Sequence, residues 1–115
     1  MKIGELAKAT GLSRDTIRFY ERQGLITSQP GQSATNKYRD YPAHLVEILG
    51  FLAAAREAGM AVADLRGLRE ATNGSCEASA AIAVMEQHIA AQREAISASE
   101  RLIGFLESSI QRLKE

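Results

Sequence analysis

Five isoleucines stand seven residues apart towards the end of this chain, at Ile82, Ile89, Ile96, Ile103 and Ile110. Three positions after each of them come Met85, Gln92, Ser99, Leu106 and Leu113. An apolar period of seven, held over about four and a half heptads, is the a/d pattern of a coiled coil. Residues 76–115 contain no proline and only one glycine, Gly104, so the pattern predicts one uninterrupted helix. At ~1.5 Å per residue that helix extends roughly 55–60 Å. A domain of this size is shorter than that, so one copy cannot cover the stripe. The simplest cover is the same helix of a second copy, which makes the expected assembly a homodimer. Its predicted seam is Ile82, Met85, Ile89, Ile96, Ile103, Leu106, Ile110 and Leu113. Gln92 and Ser99 interrupt the seam near its middle, where a polar pair sets register or orientation. The pattern alone does not choose parallel from antiparallel.

The remaining residues, about 75 of 115, suffice for one small compact domain. Its charge is unevenly placed. Residues 1–42 hold seven Lys/Arg and four Asp/Glu, whereas residues 43–115 hold seven and ten, so a basic front precedes an acidic rear at zero net charge. A basic front points to an anionic partner. No run approaches the ~18–20 apolar residues that cross a bilayer. The start, Met1-Lys2-Ile3-Gly4-Glu5, has an early acid and no apolar signal core, so the expected location is the cytoplasm with no membrane partner. Enzyme chemistry finds no footing: there is no glycine-rich phosphate loop, cysteine–histidine pair or carboxylate constellation.

Within the front, residues 3–10 read as a short helix with Ile3, Leu6 and Ala7 on one face. Gly11-Leu12 breaks it. Ser13 is suited to cap the next helix, and Asp15 sits near its positive end. That second helix runs through Gln23 and stops at Gly24, a residue suited to the left-handed C′ position. Two short helices across a glycine-containing turn make a helix-turn-helix. Ile17 and Tyr20 can hold the second helix to a core. Arg14 and Arg18, four apart, share an outer face that offers guanidinium groups to bases and phosphates.

Leu25-Ile26-Thr27 reads as a short strand. Residues 28–36 are polar, with Pro30 and Gly31, and read as a loop. Residues 37–41 alternate and read as the returning strand, giving a hairpin wing with Lys37, Tyr38 and Arg39 placed to touch a DNA backbone. Pro42 suits the first turn of a helix over 43–58, with Leu45, Ile48, Leu49 and Leu52 inward and Gly59 as its stop. Residues 62–71 form another short helix on Val62, Leu65 and Leu68. The fold class expected is mainly α: a winged helix-turn-helix over 1–72, then a coiled-coil dimerisation helix over 73–115.

These residues together resemble the MerR family of bacterial transcription regulators along nearly the whole chain. The resemblance rests on Ile3-Gly4-Glu5-Leu6-Ala7, Gly11-Leu12-Ser13, Thr16-Ile17-Arg18-Phe19-Tyr20-Glu21 followed by Gly24-Leu25, Tyr38-Arg39-Asp40-Tyr41, and Ala55-Arg56-Glu57-Ala58-Gly59. It implies a homodimer joined by an antiparallel coiled coil of the last helix. Such a dimer sits on double-stranded promoter DNA and distorts the spacer, so that RNA polymerase can use a promoter whose elements are badly spaced. Carried over motif by motif, Ser13, Arg14, Thr16, Arg18 and Tyr20 fall on the recognition helix. Lys37, Tyr38 and Arg39 fall on the wing, and Arg56 holds backbone at the far end. Arg14 and Thr16 are the better placed for base edges.

Two departures from the family pattern bear on the signal. The stretch 28–37 is slightly longer than the usual wing. Metal-sensing members carry a cysteine-containing loop after the long helix, and the sequence to Glu115 reaches about where that loop would begin; residues 1–115 likewise do not include the added domain of members with large organic effectors. Cys76 is the one cysteine, which rules out an internal disulfide and leaves a tetrahedral zinc site short of ligands. In metal sensors of the family a cysteine near this position is a ligand, so Cys76 is the effector candidate, as a ligand for a metal ion or as a redox-sensitive thiol. A helix start favours its thiolate, while one thiolate per site is poor equipment for a soft ion. His44 and His88 lie too far along their helices to complete a site locally. The alternative from another class is a coiled-coil interaction module whose basic head binds no specific DNA.

Overall fold

The structure is a computed structural model that describes residues 1–31, 39–72 and 78–115. The predicted wing residues Lys37 and Tyr38 and the effector candidate Cys76 lie outside the described residues. Among the described residues five helices follow in order: α1 (Ile3–Thr10), α2 (Arg14–Arg22), α3 (Leu45–Glu57), α4 (Val62–Ala71) and α5 (Ala78–Lys114). The chain divides into two units, Met1–Asn73 and Gly74–Glu115.

In the first unit, α1 packs on α2 and on α3 around one apolar core. Leu6 of α1, Ile17 and Tyr20 of α2, Leu45, Leu49 and Leu52 of α3 and Leu65 of α4 are buried there. Each helix therefore points the stripe expected of its period inward. Leu25, Ile26 and Tyr41 complete the core from the segments between α2 and α3. Among the described residues every buried side-chain nitrogen and oxygen has a hydrogen-bond partner.

Local chemistry sets the helix limits. The Ser13 hydroxyl accepts the Thr16 N–H at 3.1 Å and opens α2. At its other end Gly24 adopts φ 77°, a left-handed value that a side chain disfavours. The Gly24 N–H then reaches the Glu21 carbonyl and the Leu25 N–H the Tyr20 carbonyl, each at 3.0 Å. This pair is a Schellman cap. α3 ends in the same way, with Gly59 and Met60 bonding Arg56 and Ala55.

That cap explains one difference from the sequence reading. Leu25 and Ile26 do not form a strand, because the Leu25 N–H is committed to the end of α2 and both side chains are in the core. Among the described residues no strand forms. The hairpin is represented by an isolated antiparallel bridge between Gln29 and Asp40, with reciprocal bonds of 2.8 and 2.7 Å. A second difference is small: Pro42 precedes α3 in a turn, with the Leu45 N–H on the Pro42 carbonyl, rather than lying in the helix itself.

The second unit is α5, 37 residues long and thus about 55 Å at ~1.5 Å per residue. None of its residues is fully buried. Ile82, Ile89, Ile96, Ile103, Leu106, Ile110 and Leu113 are all exposed on it, an apolar seam of the kind the heptad pattern predicts. Leu102 and Phe105 are exposed beside that seam. Among the described residues no helix is long and apolar enough to cross a membrane.

Candidate nucleic-acid interface

Nine residues form α2, and their two faces differ completely. Ile17 and Tyr20 are buried, whereas Arg14, Arg18 and Arg22, four apart, lie on the opposite side. Arg18 meets Asp15 at 3.6 Å, but Asp15 is 97% exposed, so water screens the pair and a phosphate can take its place. The Arg14 guanidinium lies over Gly4 of α1: a Cβ built there would stand 2.8 Å from Nη2. Ser13 and Thr16 are tied at the front of α2, the Ser13 hydroxyl donating to Thr16 Oγ1 at 2.9 Å. The start of α2 thus sets the exposed Arg14 beside the positive end of the helix dipole, with Arg18 one turn further on, an arrangement that favours an anionic partner.

Tyr20, which the resemblance puts among the contact residues of α2 and the helical spacing turns inward, has a side chain that is 5% exposed and belongs to the core. Its place three residues after Ile17 puts it on the inward stripe, so its role is to hold α2 in place.

Arg39 is half exposed at the base of the wing and is held on its inner side. Its Nε donates to the Ser28 hydroxyl, and its Nη2 donates to the Ser28 carbonyl at 3.1 Å. Ser28 in turn donates to Glu21 Oε2. The Tyr41 hydroxyl donates to Glu21 Oε1 at 2.8 Å. Burial, together with this bond to a carboxylate, holds the Tyr41 phenol above its ordinary range. On the other side of the same segment, the Met1 ammonium donates to Asp40 Oδ1 at 3.0 Å and to the Tyr41 carbonyl at 2.9 Å. Hydrogen bonding and charge from that ammonium hold the Asp40 carboxyl below its ordinary range.

Arg56, in the last turn of α3, is exposed and donates to the Met60 carbonyl at 2.7 Å, closing the end of its own helix. Arg66 of α4 donates to the side-chain oxygen of Gln23, the C-cap of α2. The predicted contact residues Ser13, Arg14, Thr16 and Arg18 are therefore brought together on one helix. Arg39 is linked to that helix through Glu21, and Arg56 stands on another element.

Sequence reasoning gave Glu21, Ser28 and Tyr41 no role. One signal was available. Glu21 is an acid in the last turn of a helix, where the dipole disfavours it, so it needed compensating donors from elsewhere.

A basic helix held by its apolar stripe across a glycine turn from a second helix, with a bridged hairpin base beside it, defines a winged helix-turn-helix DNA-binding module. Known proteins agree with this class. Residues 1–72 match the family described as MerR HTH family regulatory protein. The chain therefore belongs to the MerR family of transcription regulators, which are DNA-binding regulators and not enzymes.

Over 90 residues it is 34% identical to the Haemophilus influenzae protein named HTH-type transcriptional regulator ZntR homolog, covering 77% of this chain and 65% of that one. Over 112 residues it is 34% identical to the Rhizobium meliloti protein named heavy metal-dependent transcription regulator 2, covering 90% and 75%. Among solved structures it is similar to the transcription regulator PbrR691 of Ralstonia metallidurans, determined in complex with lead(II). That likeness has a TM-score of 0.68 at 26% identity and covers 94% of this chain and 84% of the other.

Proposed function

We propose that this regulator binds promoter DNA as a homodimer, with α2 of each head against a major groove and α5 pairing antiparallel with its copy. The observation that carries the proposal is the two-faced α2, whose arginines all point away from the core that holds the helix. Arg14 and Thr16 reach for base edges; Ser13, Arg18, Arg39 and Arg56 meet phosphates, with Lys37 and Tyr38 beside them on the wing. The exposed seam of α5 supports the pairing, which brings two heads to one duplex. A dimer of that kind bends and untwists the DNA between its heads, and phosphate contacts offset the deformation. RNA polymerase reads the result as a change in promoter spacing.

The proposed signal is a metal ion or a thiol-reactive agent. Its support is the character of the relatives, one named heavy metal-dependent and one bound to lead(II). Among the described residues no group of three His, Cys, Asp or Glu side chains converges to hold a metal. The described residues alone thus do not form a metal centre, and the proposal assigns the sensing thiolate to Cys76.

Binding of duplex DNA across a salt series tests the reading. Arg18→Ala weakens binding to all sequences. Each of the two heads then neutralises one phosphate fewer, and the slope of log affinity against log salt becomes shallower by about 1.8. Affinity that does not vary with salt would instead identify a coiled-coil interaction module.

A further inference from the structure

We infer that Glu21 is a positioning residue for DNA binding: its carboxylate, acting through Ser28, presents Arg39 to the DNA backbone in a preset orientation. This rests on the reading of Arg39 as a phosphate contact and deepens it.

Glu21 sits where its charge is least welcome, in the last turn of α2. Three groups from beyond the helix converge on it. The hydroxyl of Tyr41, itself buried in the core, takes Oε1, and the Ser28 hydroxyl takes Oε2. The third group, the Arg39 guanidinium, stands 3.7 Å from Oε2 and grips Ser28 through both Nε and Nη2. The Ser28 hydroxyl is thus a relay, receiving from Arg39 and donating to Glu21. An arginine has five N–H donors. Two are engaged with Ser28, and the other three meet no acceptor among the described residues, on a side chain that is 51% exposed. A guanidinium held along one edge on a half-exposed side chain is preorganised for a phosphate, because its rotamer freedom is given up before DNA arrives. The anchor lies on the recognition helix, so Arg39 also keeps a constant offset from Arg14 and Arg18.

Simple electrostatics predicts the opposite sign. Glu21 is a negative charge on the side that faces phosphates, and neutralising it should tighten binding. Loss of a positioning residue should weaken binding instead.

The test uses the full chain and a duplex selected by the wild-type protein from a library with a randomised core. Affinity and salt slope are measured by fluorescence anisotropy for wild type, Glu21→Gln, Arg39→Ala and the double variant, with thermal unfolding followed in parallel. Arg39→Ala is expected to weaken binding and flatten the salt slope. Glu21→Gln is expected to weaken it by about 2–10-fold per head. The double variant should bind no worse than Arg39→Ala alone, because the second change removes support for a group already gone. If Glu21→Gln unfolds the head, Ser28→Ala replaces it: that variant removes the relay, keeps the Tyr41–Glu21 bond, and should show the same non-additivity with Arg39→Ala. Tighter or unchanged binding by Glu21→Gln, or by Ser28→Ala where it stands in, overturns the inference while leaving Arg39 as a contact, as do losses that simply add. An Arg39→Ala variant that binds like wild type overturns the phosphate role of Arg39 and the inference with it. A wild-type protein that selects no duplex overturns the DNA-binding proposal itself.

Discussion

Replacing Ile96 with alanine tests the proposed dimer at the middle of its seam. α5 spans Ala78–Lys114, so Ile96 stands at its midpoint, and in an antiparallel pair in full register it meets its own copy near the two-fold axis. The change removes three carbons, worth about 2.4 kcal/mol if fully transferred from water at ~0.8 kcal/mol per methylene. Only part of that is available. Ile96 is 56% exposed in the single chain, so association newly covers a little over half of it. The expected loss is then about 1.3 kcal/mol per chain, and about 2.7 kcal/mol for a dimer in which both chains change. At ~1.4 kcal/mol per factor of ten, the dimer dissociation constant rises about 50–100-fold, and any unfilled cavity adds to this. Alanine is the strongest helix former, so α5 itself should not weaken. Sedimentation equilibrium over a concentration series measures the constant, and far-ultraviolet circular dichroism at high concentration checks that helix content is unchanged. An unchanged dimer constant, or a wild-type chain that is monomeric at micromolar concentration, would refute the seam.

Three further outcomes follow from the structure. In a Cys76→Ser background, Ile96→Cys should cross-link between chains on oxidation and Ile110→Cys should not; equal cross-linking at both positions would mean a parallel pair. Ser13→Ala removes the cap bond to the Thr16 N–H and should cost about 1 kcal/mol of stability, read from thermal unfolding, with the lost order confined to the start of α2. Asp40 and Tyr41 should shape the pH profile from opposite ends. The Asp40 carboxyl is held low by the Met1 ammonium, so its contribution is present above the unfolded value of ~3.9 and fades as pH falls through the lower folded value; Asp40→Asn should flatten that acid limb. Burial and the Glu21 bond raise the Tyr41 phenol, so its contribution is present below ~10 and fades as pH rises through the higher folded value, a limb that Tyr41→Phe should remove.

The parts of the fold that were legible in the sequence are those written in periodicity and in single residues with strong local preferences. The isoleucine period marked α5, Ser13 marked the start of α2, and Gly24 and Gly59 marked ends that the structure closes with left-handed caps. The strand expected at Leu25-Ile26-Thr27 failed because an apolar pair with β-branching looks the same whether it lines a sheet or sits under a helix cap. The exposed basic face of α2 was legible in Arg14 and Arg18, and the inward place of Tyr20 in its spacing from Ile17. Of the Glu21 cluster only the misplaced acid was legible, as a charge against the helix dipole; its partners were not. The cluster joins residues 7, 11 and 20 positions apart through side-chain bonds, and no local pattern encodes those.

The bare backbone at Gly4 carries a consequence for how such a regulator changes its target. If Arg14 reads a base edge, α1 acts as the bench on which that arginine rests, since any side chain at residue 4 would push into a guanidinium 2.8 Å away. Drift at a position that never meets a base pair would then re-aim the residue that does. Operator preference would be inherited from the supporting helix as well as from the reading one.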